Sequence, residues 1–259
     1  MPLYATDAIV LRTYQLGETD RLVVFLTRDR GKKRGVARGA RRSRRRFGGA
    51  LEPLTRARVA YFEKEHRELV VLDYAEPVQS PLLSADVEAL SHAVYFAELL
   101  DAWAPQDHPN EKLFRLGAAA LGAMAQGVPS GLLARYFEYW LLRLEGVYPN
   151  IDACARCRTP LDTIGAYLAA DVDALICLGC APRAEADLSP TGLAFLRRAA
   201  RHPPEAVPVD LLPEHVGREL ERLHGALLSR HLERELRSRR VTREICAALA
   251  RVPVTAGAG

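Results

Sequence analysis

The chain of 259 residues is nearly without lysine: Lys32, Lys33, Lys64 and Lys112 stand against 36 basic residues in all, so arginine carries almost all of its positive charge. It lacks any 18-residue apolar stretch free of charges, which excludes a transmembrane helix. The opening Met1-Pro2-Leu3-Tyr4-Ala5-Thr6-Asp7 has no basic region and no apolar region of a signal peptide, so a cytoplasmic protein is expected. In that compartment its five cysteines read as thiols or metal ligands rather than disulfides. Nucleotide and hydrolase motifs are missing too. There is no Gly-x-x-x-x-Gly-Lys-Ser/Thr loop for ATP, no His-Glu-x-x-His and no Gly-x-Ser-x-Gly. His66-Arg67-Glu68 matches half of a zinc-deaminase signature, but Cys154 and Cys177 follow Ala153 and Ile176 where that signature needs proline. No enzyme activity is expected, and no internal repeat is visible.

The chain does have a core and a concentrated charge. Its apolar content of 49% excludes a wholly disordered chain. The net charge of +4 hides an uneven distribution. Residues 28–46 carry eleven Lys/Arg against Asp29, a net +10, and the other 240 residues sum to −6. A basic site on a mildly acidic body points to a polyanionic partner.

Short apolar runs punctuated by turn residues predict five strands in the first eighty residues, at 8–14, 21–27, 33–39, 51–62 and 69–75. That pattern suits a small closed barrel of the OB type. After Pro77 and Pro81 the period becomes helical. Val87, Leu90, Val94 and Ala97 share one helix face. Asn110 is set to cap a second helix running to about Gln126, and Ser130 a third ending at Gly146. The third is apolar over much of its circumference, so it is expected at the centre of the helical core. Ser189-Pro190 opens a further helix, residues 203–213 read as a loop, and a long amphipathic helix is predicted over 214–240. The expected fold class is α+β multidomain. An OB barrel at 1–80 precedes a helical domain at 81–149 and 187–251, with a cysteine segment inserted at 150–186 and a frayed tail at 252–259.

Four cysteines form the sharpest motif. Cys154-x-x-Cys157 is followed, after nineteen residues, by Cys177-x-x-Cys180. Each pair sets two thiolates on one side of a tight turn, and the two pairs together complete a tetrahedron around one zinc ion. Four thiolates leave no position for water, so the ion is expected to be structural, supplying folding free energy to short strands at 164–168 and 175–176. Cys246 lies in an apolar helical stretch and reads as core.

The basic run is the second signal. If 33–38 is extended, its side chains alternate between faces, and Lys32, Arg34 and Arg38 share one of them. The segment after Gly39 reads as a mobile basic loop. Such a strand and loop track a phosphate backbone by charge, without sequence readout. The bland counterpart is a solvated loop, but ten net charges in nineteen residues repel one another strongly. Tyr14, Phe47, Tyr61 and Phe62 lie nearby and read mainly as core, with Phe47 the candidate for base stacking.

These residues bring a family into view. Ala8-Ile9-Val10-Leu11, Gly17-Glu18-x-Asp20-Arg21-Leu22-Val23, Leu26-Thr27, Gly31-Lys32, Val36-Ala37-Arg38-Gly39-Ala40-Arg41-Arg42 and Leu51-Glu52-Pro53 resemble the RecO family of bacterial recombination mediators. The likeness continues through Tyr136-Phe137-Glu138, Leu141-Leu142, the four-cysteine segment and Leu188-Ser189. The resemblance implies an N-terminal OB domain and a helical domain bearing the zinc knuckles. It implies binding of single- and double-stranded DNA and annealing of complementary strands. It also implies help, with RecR, in loading RecA onto SSB-coated single strands, with the SSB tail as a further partner and no membrane or ATP involved. Carried over by position, Lys32, Lys33, Arg34, Arg38, Arg41 and Arg42 are the DNA-contact candidates. Arg44, Arg45 and Arg46 extend the set, and Cys154, Cys157, Cys177 and Cys180 are the metal ligands. Arg197, Arg198 and Arg201 are candidates for a second DNA surface or equally for a solvated helix face. Two other classes compete: a zinc-ribbon RNA-binding or transcription-associated protein, and a metal-dependent nuclease.

Overall fold

Runs of β-branched and aromatic residues between turn residues give five strands: β1 (Leu3–Leu16), β2 (Asp20–Thr27), β3 (Gly31–Ala37), β4 (Arg56–Phe62) and β5 (Leu69–Gln79). The computed structural model of the protein describes residues 2–64, 67–81, 87–161, 165–169, 173–181, 187–232 and 237–249. His66, Ile164 and the expected tail at 252–259 lie outside them. The five strands close into a barrel in the order β1-β2-β3-β5-β4, with β1 pairing β4. All pairs are antiparallel except β3 with β5. This is the OB arrangement, and closure leaves no strand edge to aggregate.

The strand boundaries shift for local reasons. β3 starts at Gly31 (φ 72°) and stops before Gly39 (φ 66°), two residues earlier at each end than its apolar pattern suggested. The predicted fourth strand begins only at Arg56, because Leu51 and Leu54 are buried on a turn in which Leu54 is left-handed (φ 58°). One helical turn, α1 (Arg44–Phe47), bridges β3 and β4 and sends Phe47 into the barrel core with Val23, Phe25, Val59, Tyr61 and Leu72. Phe47 is only 2% exposed, so it cannot stack on a base. Tyr14, read as core, is instead exposed.

Two compact units divide the chain: Met1–Leu121 with Leu236–Gly259, and Gly122–Glu235. In the first, α2 (Val87–Trp103) packs on β1, and α7 (Arg237–Leu249) packs on α2. α3 (Glu111–Ala125) starts where expected: Asn110 Oδ1 accepts the Leu113 N–H at 3.1 Å, the bond of an N-cap. Of the expected α2 face, Val87 and Val94 are exposed and Leu90 is half-buried, whereas Ala97 is buried together with Tyr95, Phe96, Leu99 and Leu100.

In the second unit α4 (Ser130–Leu144) packs on α6 (Glu214–His231), and α5 (Pro190–Ala199) lies against both. α4 buries Leu132, Leu133, Tyr136, Phe137 and Leu141, the central place expected for it. Its cap is a correction: Pro129 occupies the N-cap position and no side chain caps the helix. Ser189 does cap α5, accepting the Gly192 N–H at 3.2 Å. The long helix expected over 214–240 is two helices. α6 ends where Leu232 turns extended (φ −103°, ψ 125°), and α7 follows in the other unit. No proline or glycine marks that break, since it follows from where each helix packs.

Candidate nucleic-acid interface and metal centre

In β3 the period-2 rule sorts the basic side chains, and distant acids then decide which are free. Lys33 belongs to the inward set, with Gly31, Gly35 and Ala37. Its ammonium lies 2.7 Å from Glu63 and 2.8 Å from Asp107, with its side chain only 8% exposed. Burial works to lower the Lys33 pKa, and hydrogen bonds to Asp107 and Glu63 outweigh it and hold the pKa above its usual value. Lys32, on the opposite face, reaches back to α2. Its Nζ donates to the Asp101 carbonyl at 2.6 Å and lies 3.3 Å from the Asp101 carboxylate, which also pairs with Arg12 at 2.7 Å. Around them Lys32 N–H donates to Pro105 O and Asp107 N–H donates to Lys32 O, which fixes β3 to the loop before α3. Both lysines are thus consumed by ion pairs inside the first unit.

The arginines divide in the same way. β5 bulges at Asp73, between the pairs Ala60–Tyr74 and Tyr61–Leu72. Arg46 satisfies the carbonyls left there: Nε donates to Asp73 O at 2.8 Å and Nη2 to Leu72 O at 3.3 Å. Its guanidinium also stacks on Phe47. Arg34, Arg38, Arg41, Arg42 and Arg45 are exposed. The Arg44 side chain lies outside the described residues.

The expected mobile loop after Gly39 is an ordered turn. Gly39 N–H donates to Asp20 Oδ1 at 2.8 Å, Arg41 N–H to Thr19 O at 3.0 Å, and Ser43 N–H to Gly39 O at 2.9 Å. The Gly39 amide, then the Thr19 hydroxyl, hold the Asp20 carboxyl below its usual range. Arg41 Nη1 donates to Glu18 O at 3.0 Å. These bonds explain why acidic and small residues precede β2: the β1–β2 turn is the anchor of the arginine turn. Beside it Tyr14, Arg21, Arg41 and Glu52 line a cavity of about 430 Å³, with Tyr14 47% exposed. Arg21 was not among the candidates. It lies in β2, paired in sequence with Asp20 and outside the basic run at 28–46, so it gave no charge signal.

In the second unit the four cysteines converge, their sulfurs all within 4.8 Å of one another. Cys157 Sγ and Cys177 Sγ are 3.5 Å apart. Four Zn–S bonds of about 2.3 Å in a tetrahedron set sulfurs roughly 3.8 Å apart, so the spacing fits. The two knuckles are tied by backbone. Cys157 N–H and Cys177 N–H both donate to Cys154 Sγ, at 3.5 and 3.3 Å, and β6 (Tyr167–Leu168) pairs with β7 (Leu175–Ile176) between them. Burial raises the Cys154 thiol pKa, but amides of Cys157, Cys177 and Arg156 more than offset this and bring it down to about 6. Cys180, crowded by Cys157 and then Cys177, is pushed up to about 12. Four thiolates so close together can all ionise only around a cation. The donor set therefore fits one structural zinc ion.

The Glu138 of the Tyr136-Phe137-Glu138 motif is also buried in this unit. Its carboxylate pairs with Arg135 at 3.0 Å and with His224 Nδ1 at 2.9 Å, while His224 Nε2 meets the Tyr148 hydroxyl at 2.8 Å. Burial pushes the Tyr148 phenol well above its usual value, so it stays protonated as the partner of His224. The motif is thus a polar strut between α4 and α6. Arg197, Arg198, Arg201 and His202 line a separate cavity of about 330 Å³. Arg197 Nη2 donates to Ile151 O and Arg198 Nη2 to Ala206 O, Arg201 is exposed, and the buried Arg198 Nε has no hydrogen-bond partner.

Comparison with known proteins decides the family. Residues 1–81 match the family described as Recombination protein O N terminal, and residues 84–240 match Recombination protein O C terminal. The chain belongs to the RecO family of DNA repair proteins. Among its relatives, the DNA repair protein RecO of Koribacter versatilis is 39% identical, over 90% of this chain and 96% of its own. The DNA repair protein RecO of Anaeromyxobacter sp. (strain K) is 38% identical, over 92% and 94%. That of Geobacter sulfurreducens is 35% identical, over 92% and 97%. The closed barrel and the four-cysteine cluster agree with a RecO fold, and no helix among the described residues is long and apolar enough to cross a membrane.

Proposed function

We propose that this RecO-family protein binds single- and double-stranded DNA, anneals complementary strands and, together with RecR, helps RecA replace SSB on single-stranded DNA. The observation that carries the reading is the sorting of the basic run. Lys32, Lys33 and Arg46 are spent on holding the barrel, while Arg34, Arg38, Arg41, Arg42 and Arg45 face solvent from a strand and an anchored turn. Fixed arginines on a closed barrel neutralise a phosphate backbone without the entropy loss of ordering a loop. Tyr14 beside Arg21 and Arg41 supplies an exposed ring on which a base can stack.

Annealing needs no bond chemistry. Two strands repel as polyanions, and a protein that neutralises both lowers the cost of their meeting. The arginine turn takes one strand. The cavity lined by Arg197, Arg198 and Arg201 takes the other, with the unpartnered Arg198 Nε as an available donor.

A salt titration of single-stranded DNA binding tests the reading, comparing the wild type with Arg34, Arg38, Arg42 and Arg45 all changed to Ala. Each neutralised phosphate contributes a log–log slope of about −0.7, so the variant's slope is expected to be shallower by roughly two to three units. An unchanged slope overturns the assignment of this turn. A strong preference for RNA favours the RNA-binding alternative. Arg201→Ala, which leaves the backbone contacts of Arg197 and Arg198 in place, is expected to slow annealing more than it weakens single-strand binding.

A further inference from the structure

Cys246 is the cysteine that the four-cysteine centre leaves over. We propose that Glu88, His92 and Cys246 form a second metal site, in which one divalent ion of the zinc class clasps α7 to α2. The three side chains bring their ligand atoms within 4.8 Å of one another.

Each helix delivers its part by regular geometry. Glu88 and His92 are four residues apart on α2 and so lie one above the other on the same face. On α7, Ser238, Thr242 and Cys246 are likewise spaced by four and form one stripe. The first two are already bonded to α2: Ser238 N–H donates to Glu98 Oε2 at 2.8 Å, and Thr242 Oγ1 donates to Ser91 O at 3.2 Å. The helices run antiparallel, so the third position of the stripe falls beside Glu88 and His92. There a thiol meets a carboxylate and an imidazole.

The histidine is set for ligation. His92 is 5% exposed, and its Nδ1 lies 2.9 Å from the Glu88 carbonyl oxygen. A carbonyl only accepts, so Nδ1 carries the proton and the lone pair sits on Nε2. A backbone carbonyl holding the far ring nitrogen is the usual support of a metal-bound histidine.

The donor types select the ion. Sulfur, nitrogen and oxygen together suit zinc or cobalt, whereas calcium and magnesium favour all-oxygen sets. Three protein ligands leave a fourth position for water, and Glu88 and Cys246 are only partly buried, so water can reach it. Binding displaces the thiol proton to solvent and joins two helices that side-chain hydrogen bonds already hold in register.

Cobalt makes the site visible. Protein prepared with a single zinc ion per chain, enough for the four-cysteine centre alone, is titrated with Co²⁺, reading the thiolate-to-cobalt charge-transfer band and the visible d–d bands. One equivalent per chain is expected to saturate the wild type. Cys246→Ser is expected to abolish the charge-transfer band, and His92→Gln to weaken binding at least tenfold. Hydrogen exchange is expected to slow across α7 on loading in the wild type and not in Cys246→Ser. Absence of cobalt absorbance in the wild type overturns the proposal. So does an identical band in Cys246→Ser, which places the ion at the other cysteines, and so does α7 exchange that loading leaves unchanged.

Discussion

The barrel and the four-cysteine segment are both built from β-strands, but only one is held by them. Barrel strands run from seven to fourteen residues, and each pairs on both sides until the sheet closes. The strands between the knuckles have two residues each and pair once. The barrel buries a shared core of Phe25, Tyr61, Val59, Leu72 and their neighbours, so hydrophobic burial offsets its ordering entropy. The strands of the knuckle segment are too short for that, and its four sulfurs are placed where an ion could take the place of a core. The fold thus joins a region stabilised by area to one whose ligands are set for coordination, and the two should answer to different insults.

Chelation is the largest way to break the comparison. Removing the metal, or changing Cys177 to Ser, is expected to erase hydrogen-exchange protection across 151–181, because metal binding in small zinc domains supplies on the order of 10 kcal/mol. Barrel amides keep their protection. Loss of protection in both regions at once would show that the barrel also depends on the ion.

Gly31→Ala strikes the barrel alone. Gly31 is left-handed (φ 72°), and a Cβ there would sit 2.2 Å from the His108 carbonyl oxygen. Strain and clash together cost about 3 kcal/mol. The expected result is a lower urea midpoint for barrel unfolding with zinc content unchanged.

The smallest effect is electrostatic. Asp20 has a carboxyl pKa below its usual 3.8, so the turn it anchors is stabilised above that value and loses the contribution as pH falls through the lowered one. Asp20→Asn is expected to be less stable than the wild type near neutrality, with the difference shrinking in urea melts as pH falls through the lowered carboxyl pKa. A difference constant with pH would mean that shape, not charge, holds the turn.

Much of this was legible in order of sequence range. Five strands and the two Cys-x-x-Cys pairs are local patterns; the strands appeared in the expected order with shifted ends, and the cysteines came together as expected. The face partition of β3 was readable too, since it needs only alternation. The fate of its lysines was not. Lys33 is neutralised by Glu63 and Asp107, and Lys32 by Asp101, all remote in sequence. Arg46 looked like one more member of a charge run, yet it serves a bulge at Asp73 that no sequence period reveals. The break between α6 and α7 has no breaker residue, because packing against different helices ends one and starts the other. Tyr14 and Phe47 exchanged their expected places because burial of an aromatic side chain depends on which neighbours close over it.

The interrupted helix also bears on how the protein is made. The unit formed by 122–235 lies between two segments of the other unit, so the barrel's own unit is discontinuous and its last helix is translated only after the whole inserted unit. On the ribosome the inserted unit is complete in sequence before its host. Docking α7 on α2 then closes a loop spanning the entire inserted unit. The entropy of that closure grows only slowly with length, but the step cannot begin until the inserted unit has been synthesised. A nascent chain stalled after α6 would carry every residue of the four-cysteine centre and every strand of the barrel, and still expose the face of α2 that α7 covers.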